Sequence, residues 1–250
     1  MNHTEYKRIV DGASVAVLFI HGIAGTPDHF DRFIPLVPDG ISVYNMLLDG
    51  HGKTVRDFSR TSMKKWESQV SEAVTKLAET HEKIYIVAHS MGSLFAIDQA
   101  IHHNKVQGLF LLAAPIKLFI KPRMVQNSFK VYRNKIKPDD AEGLAAKACY
   151  GISPDKNPFH YVGWIPRYLE LFAKIKRTRK ALPEVSNPCY VFLSRKDEMV
   201  SVRSVKYFKK RTNIKVDWLD NSTHYYYPCE DLKVLSDSFE CFIDNAFNKQ

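Results

Sequence analysis

The sequence has few cysteines and no long apolar run. The four cysteines lie far apart, at Cys149, Cys189, Cys229 and Cys241. Because no CxxC pair occurs, they match neither a disulfide framework nor a zinc-binding pattern, and we expect reduced thiols. The longest apolar runs, 15–20 and 109–115, are far shorter than the roughly 20 residues of a membrane-spanning helix. The first residues also lack the apolar stretch of a secretory signal, so we expect a cytoplasmic protein without a membrane span.

Motifs for nucleotides and metals are also missing. There is no GxxxxGK[ST] loop and no GxGxxG after a predicted strand, so nothing supports nucleotide or dinucleotide binding. Neither HExxH nor any pair of ligands at metal-binding spacing occurs, and the adjacent His102 and His103 cannot share one face of a helix. We therefore expect no metal, no organic cofactor and no nucleic-acid partner.

Positive charge is concentrated in one segment. Residues 115–185 hold 15 Lys and Arg against six Asp and Glu, whereas the rest of the chain holds 21 of each. A local basic field favours anionic partners, and we expect peripheral contact with anionic lipid surfaces through this segment. A solvated, lysine-rich helical surface explains the same composition, so both interpretations stay open here.

Short apolar runs alternate with longer amphipathic stretches, which is typical of strands in a parallel sheet covered by helices. The predicted strands are 15–21, 41–48, 83–89, 106–114, 188–194 and 215–219. The predicted helices are 63–80, 91–102, 202–211 and 231–248. The pattern predicts an α/β fold with a mostly parallel sheet of about six strands flanked by helices.

One long segment interrupts this alternation. Residues 117–182 are basic, rich in aromatic side chains and without a good strand. Since segments this long inside a compact domain are usually lids or binding elements, we expect a helical cap inserted after the fourth strand. Residues 1–116 and 183–250 then form the core.

The clearest local motif spans 83–100, where a β-branched strand is followed by Ala88, His89, Ser90, Met91 and Gly92 and then by a helix-forming run. Such a strand–serine–helix turn is a nucleophile elbow, in which small residues two positions either side of the serine permit a strained, positive-φ backbone. We predict Ser90 as a nucleophile, at the positive end of the following helix.

A second apolar strand ends at His21 and Gly22 and enters a glycine-containing loop. Such a loop can supply one backbone N–H to an oxyanion hole, and we predict the amides of Ile23 and Met91 as the two donors. We expect a structural role for His21.

A nucleophilic serine needs a base, and the base needs an orienting carboxylate. Asp197 follows the strand that ends near Leu193, and Glu198 competes with it for the role of the acid. His224 lies in the polar turn after the last strand and is the predicted base. We therefore predict Ser90, Asp197 and His224 as a catalytic triad.

The chain order of these three residues resembles that of the α/β-hydrolase superfamily, and most closely its carboxylesterase and monoacylglycerol lipase branch. The segment LDGHGKT, 48–54, is similar to the family's LxGHGxS turn, with Thr54 in place of serine. Ala88 departs from the family's GxSxG pattern. We expect His51 to be structural, and few strands before Val15.

The resemblance implies a serine carboxylic-ester hydrolase that acts through an acyl-enzyme on short- to medium-chain acyl esters or monoacylglycerols. Aromatic residues of the cap, among them Phe119, Tyr161 and Trp164, are expected to line the acyl pocket. A thioesterase, lysophospholipase or peptidase would use the same triad, and a non-catalytic binding protein would share the fold. The sequence separates neither these functions nor the oligomeric states.

Overall fold

The computed structural model describes residues 3–133 and 135–247, which form nine strands and eight α-helices. The strands are β1 Tyr6–Arg8, β2 Val15–Ile20, β3 Ser42–Met46, β4 Lys53–Thr54, β5 Lys83–His89, β6 Val106–Leu112, β7 Ile152–Ser153, β8 Cys189–Ser194 and β9 Ile214–Leu219. The helices are α1 Val55–Arg60, α2 Met63–Thr80, α3 Met91–His102, α4 Pro122–Tyr132, α5 Ala141–Cys149, α6 Trp164–Ala181, α7 Val205–Phe208 and α8 Cys229–Phe247.

The main sheet has seven strands in the order β1-β3-β2-β5-β6-β8-β9. Six of them run parallel, and β1 pairs with β3 in antiparallel register, Tyr6 opposite Asn45 and Arg8 opposite Val43. The predicted α/β class and mostly parallel sheet are confirmed. The strand count of about six was one too low because β1 is short, polar and largely exposed, so no apolar run marks it.

Helices cover both faces of the sheet. Every residue of β2 is buried, because its side chains alternate between two apolar layers. One layer packs against α2 and α3, with Trp66 and Leu94 fully buried. The other packs against α8 through Phe239 and Phe242. This two-sided burial explains the continuous apolar runs of the central strands.

Two predicted helices have different bounds in the structure. The stretch predicted as a helix over 202–211 contains a 3₁₀ turn, Val202–Ser204, followed by the four-residue α7. The last helix begins at Cys229 rather than at 231, and its predicted end at residue 248 lies outside the described residues. Within 3–133 and 135–247, no helix is both long and apolar enough to cross a membrane.

Residues 117–182 lie between β6 and β8 and contain α4, α5 and α6. They also contain β7, which pairs with β4 in a two-stranded parallel sheet that the sequence did not predict. Because β1 precedes the predicted strands, this segment follows the fifth strand of the main sheet along the chain rather than the fourth. The buried Lys174 of α6 forms ion pairs with Glu67 and Asp98 and so ties the segment to α2 and α3.

Candidate active site

Ser90 occupies a sharp turn between β5 and α3. Its backbone has φ 51° and ψ −122°, a conformation that non-glycine residues rarely adopt. The Ser90 N–H donates to the carbonyl of Leu112 on the neighbouring strand, at 2.9 Å. A side chain at Gly92 would place its Cβ only 2.2 Å from the carbonyl oxygen of Ile20. The lack of a side chain at residue 92 therefore lets α3 approach β2 closely enough to form the turn.

The structure brings Ser90, His224 and Asp197 into one hydrogen-bonded chain. The Ser90 hydroxyl lies 3.1 Å from His224 Nε2, and His224 Nδ1 lies 2.9 Å from Asp197 Oδ2. The three side chains come from the turns that follow β5, β9 and β8, and all three residues are at most 6% exposed. The carboxyl ends of these parallel strands meet at one edge of the sheet, which explains how residues 134 apart in the chain come together.

Asp197 and Glu198 contact His224 differently. Asp197 reaches the imidazole ring, and its other oxygen, Oδ1, accepts from the N–H groups of Met199 and Val200 at 2.7 and 2.8 Å. Glu198 Oε2 instead accepts from the backbone N–H of His224 at 3.0 Å. The geometry thus places Asp197 rather than Glu198 on the ring, and two buried carboxylates hold the histidine.

The environment changes the basicity of His224. Burial alone would lower the pKa of its imidazole, but the charge and hydrogen bond of Asp197, together with the charge of Glu198, raise that pKa above its ordinary value. With the Nδ1 proton donated to Asp197, Nε2 is free to accept the hydroxyl proton of Ser90. A neutral His224 can therefore accept a proton at Nε2.

The loop after β2 lies directly against the Ser90 turn. A Cβ added at Gly22 would stand 2.9 Å from the Cβ of Ser90, so the next residue, Ile23, is held beside the serine. Among the described residues, none accepts a hydrogen bond from the Ile23 N–H. Met91 is the first residue of α3, so its N–H has no acceptor within the helix.

Two buried histidines hold the loops around this site. The backbone N–H of Leu48 donates to Nε2 of His21, and that of Ala24 donates to Nε2 of His51. The Nδ1 atoms of these rings must therefore carry the protons, which go to backbone carbonyls. Burial lowers the pKa of His21 to about 4 and that of His51 well below its usual value. Both are neutral supports for the loops.

A further cluster of buried rings, around His29 and His89, was not predicted from the sequence. His89 Nε2 lies 3.0 Å from the carbonyl oxygen of His224, to which it donates, and its ring stacks on His29 at 3.9 Å between centroids. His29 in turn contacts Cys149 and the hydroxyl of Tyr227. Burial lowers the pKa of His29 to about 3 and that of His89 well below its ordinary range. The only sequence signal was the position of His89 next to Ser90.

The three predicted acyl-pocket residues lie in different environments. Phe119 lies near the start of the 117–182 segment and is 63% exposed. Trp164 packs on Phe58 at 4.7 Å between ring centroids and donates to the Val55 carbonyl. The Tyr161 hydroxyl accepts from the N–H of Asp155, and its ring lies 5.2 Å from that of Trp164.

The described part of the chain contains no group of three or more His, Cys, Asp or Glu side chains placed to hold a metal ion. The groups that the structure brings together at the site are the Ser90 hydroxyl, the His224 imidazole, two carboxylates and nearby backbone amides. This arrangement can deliver an activated hydroxyl to an electrophilic carbon and take up and return its proton.

Comparisons with known proteins agree with the fold. No curated protein sequence matches the chain. Similar solved structures include one described for LipS and LipT, two metagenome-derived lipolytic enzymes (21% identity, TM-score 0.73, 98% of both chains). The monoacylglycerol lipase of Paleococcus ferrophilus is 18% identical, with a TM-score of 0.66 over 98% of this chain and 99% of the other. An alpha/beta superfamily hydrolase from Oenococcus oeni PSU-1 is 15% identical, with a TM-score of 0.68 over 97% of this chain and 96% of the other.

At these identities the solved structures establish likeness of fold, and the family is established separately from the sequence. The model of the alpha/beta hydrolase family matches residues 17–232. That range includes the Ser90 turn, the whole 117–182 segment and His224. The chain therefore belongs to the alpha/beta hydrolase family.

Proposed function

We propose that the protein is a serine carboxylic-ester hydrolase that works through an acyl-enzyme. The observation that carries this proposal is the unbroken hydrogen-bond chain from Asp197 through His224 to Ser90, on a backbone turn that is strained at the serine. Strain of this kind persists where surrounding structure enforces it and is concentrated at functional sites. Membership of the hydrolase family and the likeness to lipolytic enzymes support the same reaction.

In the first half of the reaction, Ser90 Oγ forms a bond to the acyl carbonyl carbon while its proton passes to His224 Nε2. The oxyanion of the tetrahedral intermediate accepts hydrogen bonds from the amides of Ile23 and Met91. The ester C–O bond then breaks, and the leaving alkoxide takes the proton from His224. Asp197 keeps the ring in the required tautomer throughout.

In the second half, water attacks the acyl-enzyme and gives a proton to His224. The bond from the acyl carbon to Ser90 then breaks, and the serine recovers that proton as the carboxylic acid leaves. Every proton that moves is held by Ser90, His224, water or product, so the cycle returns the enzyme to its starting state. These steps require no group beyond the residues described.

Residues 117–182 act in this proposal as a helical cap on a core made of 1–116 and 183–250. Three contacts with the loops of the site support that role. Leu118 pairs with Val200, and Phe119 N–H donates to the Met199 carbonyl, beside Asp197. The Gly151 N–H donates to the Ala24 carbonyl in the loop that holds Ile23, at 2.8 Å. Since Ser90 is only 6% exposed, we expect the substrate to reach it between the cap and these loops.

We further propose short- to medium-chain acyl esters, including monoacylglycerols, as substrates, with Phe119, Tyr161 and Trp164 in contact with the acyl chain. The aromatic composition of the cap supports an apolar pocket. The similar solved structures include lipolytic enzymes and a monoacylglycerol lipase, which supports the same substrate class.

The test is hydrolysis of p-nitrophenyl esters from acetyl to decanoyl, together with a monoacylglycerol, an acyl thioester and a lysophospholipid. We expect kcat/KM for the oxygen esters to rise from the acetyl ester to a medium chain. Ser90→Ala should lose on the order of 10⁶ in kcat. Ser71→Ala, at an exposed serine of α2, is the matched control and should keep its activity. Preference for the thioester would redirect the substrate assignment, and equal rates for all chain lengths would reject the apolar pocket.

A further inference from the structure

A concave basic surface lies apart from Ser90, where the end of α6 meets α7. It encloses a cavity of about 620 Å³. Six of its lining residues are cationic, and none is acidic: Lys117, Arg179, Arg203, Lys206, Lys210 and Arg211. We call this site the basic cavity. Only Lys117 and Arg179 belong to the basic segment 117–182, so the concentration of charge arises from the folding together of two separate parts of the chain.

In the described part of the chain, no carboxylate pairs with a cationic side chain of the basic cavity. Within 3–133 and 135–247, none of the six forms a salt bridge. Arg179 donates to the Ile116 carbonyl and stacks over the ring of Tyr207, at 5.1 Å. Arg211 donates to the Val185 carbonyl at 3.0 Å. Two guanidinium groups are thus fixed in the cavity wall by contacts with neutral groups, and their charge remains available to a ligand.

Six like charges around one concavity repel one another, and a concave, weakly polarisable wall strengthens the field inside it. An anion that enters relieves this repulsion. Guanidinium and ammonium groups together form the usual site for phosphate, because arginine binds two of its oxygens at once and lysine adds a point charge. A single carboxylate would leave most of the six cations without a partner.

We propose that the basic cavity binds a phosphorylated ligand with at least two negative charges. Its volume lies in the range of small-molecule sites, whereas contact with a membrane needs only a flat or convex basic face. Free phosphate compounds and phospholipid headgroups share the recognised chemistry, and the experiment below distinguishes them. The proposal does not depend on ester hydrolysis at Ser90.

The experiment is titration of the protein with pyrophosphate by calorimetry at low and at physiological salt. A second arm measures cosedimentation with vesicles of phosphatidylcholine containing one-third phosphatidic acid. The test variant is Lys206→Gln with Lys210→Gln. The control is Lys64→Gln with Lys233→Gln, which removes the same charge from two exposed lysines outside the basic cavity. Thermal unfolding of each protein checks that the fold is retained.

We expect saturable binding of pyrophosphate that weakens with salt, a loss of about tenfold in affinity in the test variant and less than about twofold in the control. Binding of pyrophosphate without vesicles identifies a free phosphate compound, and binding of vesicles that the test variant alone loses identifies a phospholipid headgroup. Absence of binding in both arms, or equal affinity in the two variants, overturns the proposal, whatever the result for ester hydrolysis.

Discussion

At the scale of single residues, two carboxylates hold one histidine by different means. Asp197 contacts the ring of His224, whereas Glu198 contacts only its backbone N–H and acts on the ring through charge. Because both charges raise the pKa of His224, the imidazole takes up a proton at a higher pH than an ordinary histidine. Protonated His224 cannot accept the proton of Ser90, so we expect the proposed activity to be lost as the pH falls through that raised pKa.

Glu198→Gln keeps an oxygen that accepts from the His224 N–H but removes the charge. We expect the acid limb of kcat/KM against pH to move to lower pH, with a small effect on the rate at high pH. The measurement is a pH–rate profile with a short-chain p-nitrophenyl ester. The control is Glu240→Gln, at an exposed glutamate of α8, which should leave the profile in place. An unchanged acid limb in Glu198→Gln would contradict the role given to its charge.

His89 is a second residue whose effect is indirect. It donates to the carbonyl of His224 and is supported by stacking on His29. Loss of this donor leaves the His224 backbone free to shift, and a displacement of about 1 Å in a catalytic group can cost about 10²-fold in rate. We expect His89→Leu to lower kcat by about 10- to 10²-fold with little change in KM.

His89→Gln retains an amide donor and should restore part of the lost kcat. A purely structural role would lower the unfolding temperature in both variants equally and would give no selective recovery of kcat by glutamine. Steady-state kinetics and thermal unfolding of the two variants therefore separate positioning from folding. Equal kcat values in His89→Leu and the wild type would rule out a positioning role.

At the scale of elements, the turn from β5 into α3 depends on the absence of a side chain at Gly92. Since a Cβ there would meet the backbone oxygens of Ile20 and His21 at 2.2 and 2.8 Å, neither neighbour can move without shifting β2. We expect Gly92→Ala to cost about 3 kcal/mol or more in the free energy of unfolding, at the upper end for overpacking.

Urea denaturation measures this cost, and Gly40→Ala is the matched control. A Cβ at Gly40 meets nothing within 4 Å, so that substitution should change the free energy of unfolding by less than about 0.5 kcal/mol. A Gly92→Ala protein as stable as the Gly40→Ala protein would show that the elbow tolerates a side chain at this position.

The length and burial of the elements explain which of them could be predicted from the sequence. The central strands are buried on both faces, so their continuous apolar runs indicated them in the sequence. The helices α2 and α3 have the predicted bounds. β1, β4 and β7 have two or three residues each and are mostly exposed. Because they are held by pairing with strands far away in the chain, no local sequence pattern indicates them.

At the scale of the whole molecule, the site was predictable where each residue sits in a local strand–turn pattern. Ser90, Asp197 and His224 each follow a strand, and parallel topology brings those ends together. The contact of Tyr227 with His29 joins residues 198 apart, and neither has a local signature. The basic cavity could not be predicted from the sequence either, since most of its cations lie outside the segment with the excess charge.

In the proposed reaction, His224 and Asp197 activate Ser90 as a nucleophile. Reaction with a serine-directed fluorophosphonate, followed by peptide mass spectrometry, tests it most directly. We expect one adduct, on Ser90, that is absent in Ser90→Ala and forms far more slowly in His224→Ala. Labelling that persists in Ser90→Ala, or a folded wild-type protein that does not react at Ser90, would contradict it.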